Sequence, residues 1–214
     1  MSAPAGLPPP RNRSKARVTR IEGEPPLLLK DYGERSWPVR LWGRFCLALE
    51  ERALRRLAGV EGIPAFHSRP SPHAICMQFI DAPPISSLAR GELPRDFAEK
   101  LESLFAAIEE RGVVHGDPHF RNILCDAEGR PYLVDFSLSY VRGSIPWIDR
   151  WLFRNLQALS RKKIAKLRRV FYGEEAREEV RVSFVFRALR FLKRIRSSLK
   201  RRRRIPSGDR QQAA

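Results

Sequence analysis

The stretch His115-Gly116-Asp117-Pro118-His119-Phe120-Arg121-Asn122, followed thirteen residues later by Asp135-Phe136-Ser137, constrains this 214-residue chain more than any other. Asp117 and Asn122 stand five apart, and Asp135 closes the apolar run Pro131-Tyr132-Leu133-Val134. Asn122 to Cys125 reads as a short strand, Asp126 to Arg130 as a turn, and Pro131 to Phe136 as the return strand. Such a hairpin brings Asp117, Asn122 and Asp135 to neighbouring strand ends. Two carboxylates and an amide converge unfavourably without a cation, so the pattern points to Mg2+ held by oxygen ligands and phosphate.

The flanking sequence supplies a scaffold for that hairpin. Arg17 to Ile21 reads as a strand, Glu22 to Pro26 as a turn, and Leu27 to Lys30 as a buried strand ending in a cation. Arg40 to Ala58 has helical spacing, with Leu41, Phe45, Leu49, Leu54 and Leu57 near one face and Gly59 as a stop. Glu50 and Glu51 lie side by side on it, so only one of them can face the strand carrying Lys30. Gly62 to Pro72 reads as a Pro/Gly-punctuated loop. His73 to Ile80 then reads as a strand running into the break Asp81-Ala82-Pro83-Pro84. Pro94 suits a first helical turn. Phe97, Leu101, Leu104, Phe105 and Ile108 form one apolar stripe after it, and Gly112 ends that helix and delivers Val113-Val114 to the loop. Trp147 to Tyr172 is helix-like, and Gly173 breaks its pattern.

His115-Gly116-Asp117, Asn122 and Asp135-Phe136-Ser137 resemble the catalytic loop and metal motif of the protein-kinase-like superfamily, with Gly116 in place of Arg and Ser137 in place of the last Gly. The runs LEERALRRLAGVEGIP and IDRWLFRNLQALSRKKIAKLRR resemble bacterial lipopolysaccharide-core (Kdo/heptose) kinase-like and RIO-like proteins. The resemblance covers Lys30 to Ser139. It implies an α+β, compact two-lobed kinase-like fold with a reduced small lobe and a truncated helical large lobe. ATP and Mg2+ are the implied cofactors. Asp117 would be the base or orienter of an acceptor hydroxyl, Asn122 and Asp135 the metal ligands, and Lys30 the neutraliser of the nucleotide phosphates. The same resemblance selects Glu50 over Glu51 as the partner of Lys30, has His115 brace the loop, and turns His119 toward the γ-phosphate. Met77 would lie beside the adenine, with main-chain groups of Gln78, Phe79 and Ile80 hydrogen-bonding it; simple core packing is an equal reading of Met77. No GxGxxG precedes Lys30, and no APE motif follows Ser137. The second departure favours a sugar or lipid-linked acceptor over a docked peptide, and the first is the feature that a pseudokinase adaptor would share.

Charge adds a second theme. The net charge is +17, and Val180 to Ser207 holds eleven Lys/Arg with no Asp or Glu. Glu174, Glu175, Glu178 and Glu179 precede this segment, at the end a helix dipole favours. Val182, Val185, Leu189, Leu192 and Leu199 share one face. Residues 173–205 therefore read as a basic amphipathic helix suited to an anionic membrane surface through residues 180–204. Packing on the core is the alternative; nucleic acid is favoured less, because no aromatic platform or RNA module accompanies the cations. Residues 1–16 and 206–214 read as disordered, and 17–172 as the kinase-like domain, with lobes at about 17–80 and 84–172. Cys46, Cys76 and Cys125 form no CxxC pair, which fits buried thiols in a reducing compartment. The N-terminus lacks a signal-peptide core and no run is long and apolar enough to span a bilayer. The expectation is a cytoplasmic protein, peripheral on the inner membrane's cytoplasmic face. The expected activity is ATP- and Mg2+-dependent phosphoryl transfer to a hydroxyl of a lipopolysaccharide-core sugar or other envelope glycolipid. The alternatives are a RIO-like protein serine/threonine kinase and a pseudokinase adaptor at membrane or RNA.

Overall fold

The computed structural model describes residues 15–89, 91–143 and 146–173. Its first layer is an antiparallel sheet of β1 (Arg17–Ile21), β2 (Leu27–Asp31), β3 (Phe66–Ser71) and β4 (Ala74–Gln78), in the order β1-β2-β4-β3. The register sets Lys30 of β2 opposite Val18 on one side and Ile75 on the other. Lys30 is thus held by two neighbouring strands. The loop expected at 62–72 contains edge strand β3. Its register shifts between Phe66 and Ser68 and again between Ser68 and Ser71. An edge strand with such irregularities tolerates Pro70, which has no N–H for a ladder; that proline hid the strand in the sequence.

Helix α1 (Trp37–Arg56) begins with Pro38 in its first turn and packs on this sheet. Its buried face is Gly43, Cys46, Leu47, Glu50, Ala53 and Leu54. These positions lie three, four or seven residues from Glu50, so they share its side of the helix. Leu41 and Phe45, expected on the buried stripe, are 62% and 54% exposed. At about 100° per residue, Leu41 lies roughly 180° from Glu50. The rotation that puts Glu50 inside therefore puts Leu41 outside. Gly43 permits the close packing, since a Cβ there would come within 2.4 Å of the Tyr32 ring.

The second layer is built on α2 (Phe97–Glu110), whose expected stripe is buried throughout. Around it stand β5 (Val113–Val114), the hairpin of β6 (Ile123–Cys125) and β7 (Pro131–Leu133), β8 (Tyr140–Val141) and α3 (Pro146–Leu167). Phe97, Leu101, Ile108, Val113, Ile123, Leu133, Phe136 and Leu167 are sealed in one core with Leu47, Leu54 and Ile75 of the sheet layer. Burying a large apolar side chain stabilises by about 1.5–3 kcal/mol, so this shared core is what fixes the two layers on each other. A π-helical turn, Arg168–Tyr172, follows α3, and Gly173 at φ 72 caps it in the left-handed region that favours glycine. The amphipathic helix expected at 173–205 and the segments expected to be disordered, 1–16 and 206–214, lie almost wholly outside the described residues. Cys46, Cys76 and Cys125 are buried, reduced cysteines. Among the described residues no helix is long and apolar enough to cross a membrane.

Candidate active site

The site forms where β2, α1 and the segment after β7 meet. Lys30 Nζ lies 2.9 and 2.8 Å from the two Glu50 carboxylate oxygens and 2.8 Å from Asp135 Oδ1. Glu50 also accepts the Phe136 N–H at 3.2 Å, tying α1 to the segment that carries Asp135. Glu51 instead turns outward to Arg55 and Arg69. The structure thus pairs Lys30 with Glu50 and not with its neighbour.

Electrostatics follow from the geometry. Burial works to lower the Lys30 pKa, but the Glu50 and Asp135 carboxylates outweigh it and hold the ammonium above its usual range. Burial likewise opposes ionisation of Asp135, yet Lys30 and the Ser137 hydroxyl hold that carboxyl well below the usual range. Burial pushes Glu50 upward against the pull of Lys30. Two carboxylates face one ammonium, leaving an excess negative charge at a site sealed at Glu50 and open to solvent at Asp135.

The backbone around Asp135 is unusual in a way that aims the carboxylate. Asp135 has φ 65, the one positive φ at a non-glycine residue among those described. Ser137, in place of the expected Gly, has no such φ; its hydroxyl donates to Asp135 Oδ1 at 2.7 Å. The conformational demand thus falls on Asp135, and a side chain at 137 is accommodated and used.

The loop after β5 is braced from within. His115 is fully buried; its Nε2 lies 3.0 Å from the Val134 carbonyl, and its Nδ1 accepts the Asp117 N–H at 3.2 Å. The first contact requires a proton on Nε2 and the second a lone pair on Nδ1, so the imidazole is neutral. Burial lowers its pKa accordingly. Gly116 is sterically required, because a Cβ there would sit 1.8 Å from the Leu138 carbonyl oxygen. An Arg at this position is excluded by the backbone itself. Asn122 donates from Nδ2 to the Asp117 carbonyl at 2.9 Å, and its N–H bonds the His119 carbonyl at 2.7 Å. With Nδ2 so committed, the Asn122 side-chain oxygen is the atom left for a cation. The β6–β7 turn is locked by Asp126, which accepts from Glu128 N, Arg130 N, Arg130 Nε and the Tyr132 hydroxyl.

A divalent cation fits this donor set. Asp135 Oδ2 enters no hydrogen bond among the described residues, and the cluster carries surplus negative charge. Among the described residues no three His, Cys, Asp or Glu side chains gather as a preformed metal cage. Mg2+ commonly takes one or two protein oxygens and completes its shell with phosphate and water, which is the arrangement Asp135 and Asn122 allow.

Other expected residues fall less simply. His119 is more than half exposed, with Nε2 3.7 Å from Asp117 Oδ1. Met77 is sealed in the core at 3% exposure. The Gln78 and Phe79 N–H groups are used within the fold, by the Ala65 and Pro26 carbonyls. Gln78 and Ile80 also line a cavity of about 760 Å3 between Leu57–Ala65, α2 and Arg130–Tyr132; Lys30, Asp117 and Asp135 take no part in it. Its size does not make it the reaction site, because the paired titratable groups lie elsewhere. One residue the sequence did not flag is Lys163 of α3. Burial and Lys166 lower its pKa, and Asp117 is close enough to oppose them. Lys163 and Lys166 hold their ammonium groups 5.2 and 5.5 Å from the Phe120 ring centre. Nothing in the run Lys162-Lys163 distinguishes it from a solvated charge cluster until α3 folds back.

A sheet whose lysine meets a helix glutamate, stacked on helices that present an Asp/Asn loop and a second Asp, places the chain in the protein-kinase-like superfamily. The model of the RIO domain family matches residues 39–165, and the chain belongs to that family. Its fold is similar to Rio2 kinase from Chaetomium thermophilum, with TM-score 0.59 and 17% identity over 81% of this chain and 58% of that one. The ADP/Mg2+-phosphoaspartate complex of that kinase gives TM-score 0.58 and 16% identity over 77% and 55%. Two probable bifunctional tRNA threonylcarbamoyladenosine biosynthesis proteins are similar over a shorter stretch. The one from Methanosarcina barkeri is 44% identical over 64 residues, 30% of this chain and 11% of that protein. The one from Methanosarcina acetivorans is 41% identical over 69 residues, 32% and 12%. The matched stretch is thus about a tenth of the length of these curated relatives.

Proposed function

We propose that the chain is an ATP- and Mg2+-dependent phosphotransferase that acts on a hydroxyl. The observation that carries this reading is the single Lys30 ammonium bonded at once to Glu50 and Asp135. A structural ion pair needs one carboxylate. The second, set on a left-handed residue and half open to solvent, is poised for a cation. Lys30 would meet the nucleotide phosphates while Glu50 keeps it in place. Asp135 and Asn122 would hold the magnesium, which supplies neutralisation of phosphate charge when bound. Asp117 would align the acceptor hydroxyl, and His119, 3.7 Å from it, would meet the transferred group. The Ile80 N–H and the Gln78 to Ile80 carbonyls would serve the adenine, since the other two hinge N–H groups are committed. The division into lobes at 17–80 and 84–172 belongs to the same reading.

The acceptor we infer is anionic and membrane-borne, a lipopolysaccharide-core sugar or another envelope glycolipid at the cytoplasmic face of the inner membrane. Lys163 and Lys166 beside the Asp117 loop support an anionic acceptor. The eleven cations of Val180 to Ser207 support an anionic surface. A RIO-like protein serine/threonine kinase is the second reading, favoured by the family match. Full-length protein incubated with labelled ATP, Mg2+ and either extracted envelope glycolipids or protein alone separates the two. Label in the lipid fraction supports the glycolipid reading; label only on Ser or Thr of protein supports the second. Absence of Mg2+-dependent nucleotide binding contradicts both and leaves a pseudokinase adaptor.

A further inference from the structure

Four of the six exposed large apolar side chains among the described residues fall in one nine-residue stretch: Trp37, Leu41, Trp42 and Phe45 of α1. Trp37 is 75% exposed and Trp42 45%. Trp37, Leu41 and Phe45 are spaced by four and so line one side of the helix, with the Trp42 ring 5.7 Å from that of Phe45. The opposite side carries Glu50 to Lys30, so α1 cannot roll to hide this stripe without breaking the site. A cluster of this kind on a chain with an intact core marks a contact surface.

The charges around it say what it contacts. From Arg35 to Leu49 the chain has no Asp or Glu, while exposed Arg40 and Arg44 flank the apolar residues. Arg40 leans on His73 at 3.2 Å. Tryptophan and phenylalanine on one helical face, with arginines beside them and no acid, suit the boundary between acyl chains and anionic headgroups. A stacking platform for nucleic acid would not need Leu41, which offers no π-face.

We propose that the outer face of α1 is a lipid-contact surface that seats the kinase-like domain on an anionic bilayer. Trp37, Leu41, Trp42 and Phe45 enter the interface, and Arg40 and Arg44 meet the headgroup phosphates. This extends the membrane-face part of the reading above. It is tested by lipid partition alone, so a failed phosphoryl-transfer assay leaves it standing.

The test uses full-length protein with vesicles of phosphatidylglycerol and phosphatidylethanolamine, and with vesicles of phosphatidylcholine alone. Trp42→Ser/Phe45→Ser should lower partition to the anionic vesicles about tenfold or more. Arg40→Glu/Arg44→Glu should do likewise, with thermal unfolding of both variants close to that of the parent. Brominated lipid should quench the parent's fluorescence, and Trp37→Phe/Trp42→Phe should lose that quenching while still binding. Every variant keeps the basic segment after Val180. Partition equal to the parent's in both double variants would show that segment acting alone and overturn the proposal. So would quenching unchanged in the Trp→Phe variant, or equal binding to phosphatidylcholine. A parent that self-associates through α1, or loses oligonucleotide rather than vesicle binding on substitution, assigns the face to another partner and equally overturns it.

Discussion

Lys30, Glu50 and Asp135 show why removing single charges from this site should have unequal effects. Glu50 is sealed and bonded to both Lys30 and the Phe136 N–H, so Glu50→Gln breaks a buried pair and should destabilise by about 3 kcal/mol. Glu51→Gln touches only Arg55 and Arg69 nearer the surface and should stay within about 1 kcal/mol. Denaturant melts of the two variants check this directly. His115 makes a pH prediction. Its folded pKa is depressed by burial, so the unfolded chain binds the proton more readily. Stability should therefore fall as pH drops below about 6.5, with a limiting slope of about 1.4 kcal/mol per pH unit for one proton. In His115→Asn that part of the slope should vanish; an unchanged profile from pH 7 to 5 would show that another group is responsible. For chemistry, Asp117→Asn should reduce turnover about 10²–10⁴-fold with nucleotide affinity retained. Equal turnover on the same acceptor would remove Asp117 from its role.

At the scale of elements, the short contacts between loop and strand decide the architecture. Gly116 faces the Leu138 carbonyl with no room for a Cβ, so Gly116→Ala must displace one of two backbones. It should destabilise by about 3 kcal/mol or more and disturb the Asp117 loop, whereas Gly59→Ala, with open space around it, bears only the strain of its positive φ. Comparative melts of the two variants test this. The same contacts explain what the sequence could and could not reveal. The α2 stripe was legible because its spacing repeats at helical period and every member is buried. The β6–β7 hairpin was legible because Asp126 to Arg130 is rich in turn residues. Strand β3 was not, since Pro70 and its register shifts look like a loop from sequence. The facing of α1 was misread because two candidate stripes coexist on it. One is apolar and leads outward; the other is sparse, with Gly43 and Cys46, and is chosen by the ion pair at Glu50. The Asp117–Asn122 spacing and Asp135 were visible as motif, while the approach of Lys163 depends on α3 folding back from more than forty residues away in sequence, which no local pattern encodes.

For the whole molecule, two unequal charge distributions meet. The chain is strongly cationic, yet its candidate site sets two carboxylates, Glu50 and Asp135, on one lysine. A cationic surface raises the local concentration of an anionic nucleotide, and on the proposed reading the two carboxylates would then favour its metal-bound form. The central claim is that this pocket binds nucleotide through a divalent cation on Asp135. Calorimetric titration of ATP into the full chain, with Mg2+ and with EDTA, tests it most directly. The account predicts binding that weakens at least about tenfold in EDTA, with the same loss in Asp135→Asn even when Mg2+ is present. ATP affinity equal in all three conditions would contradict it.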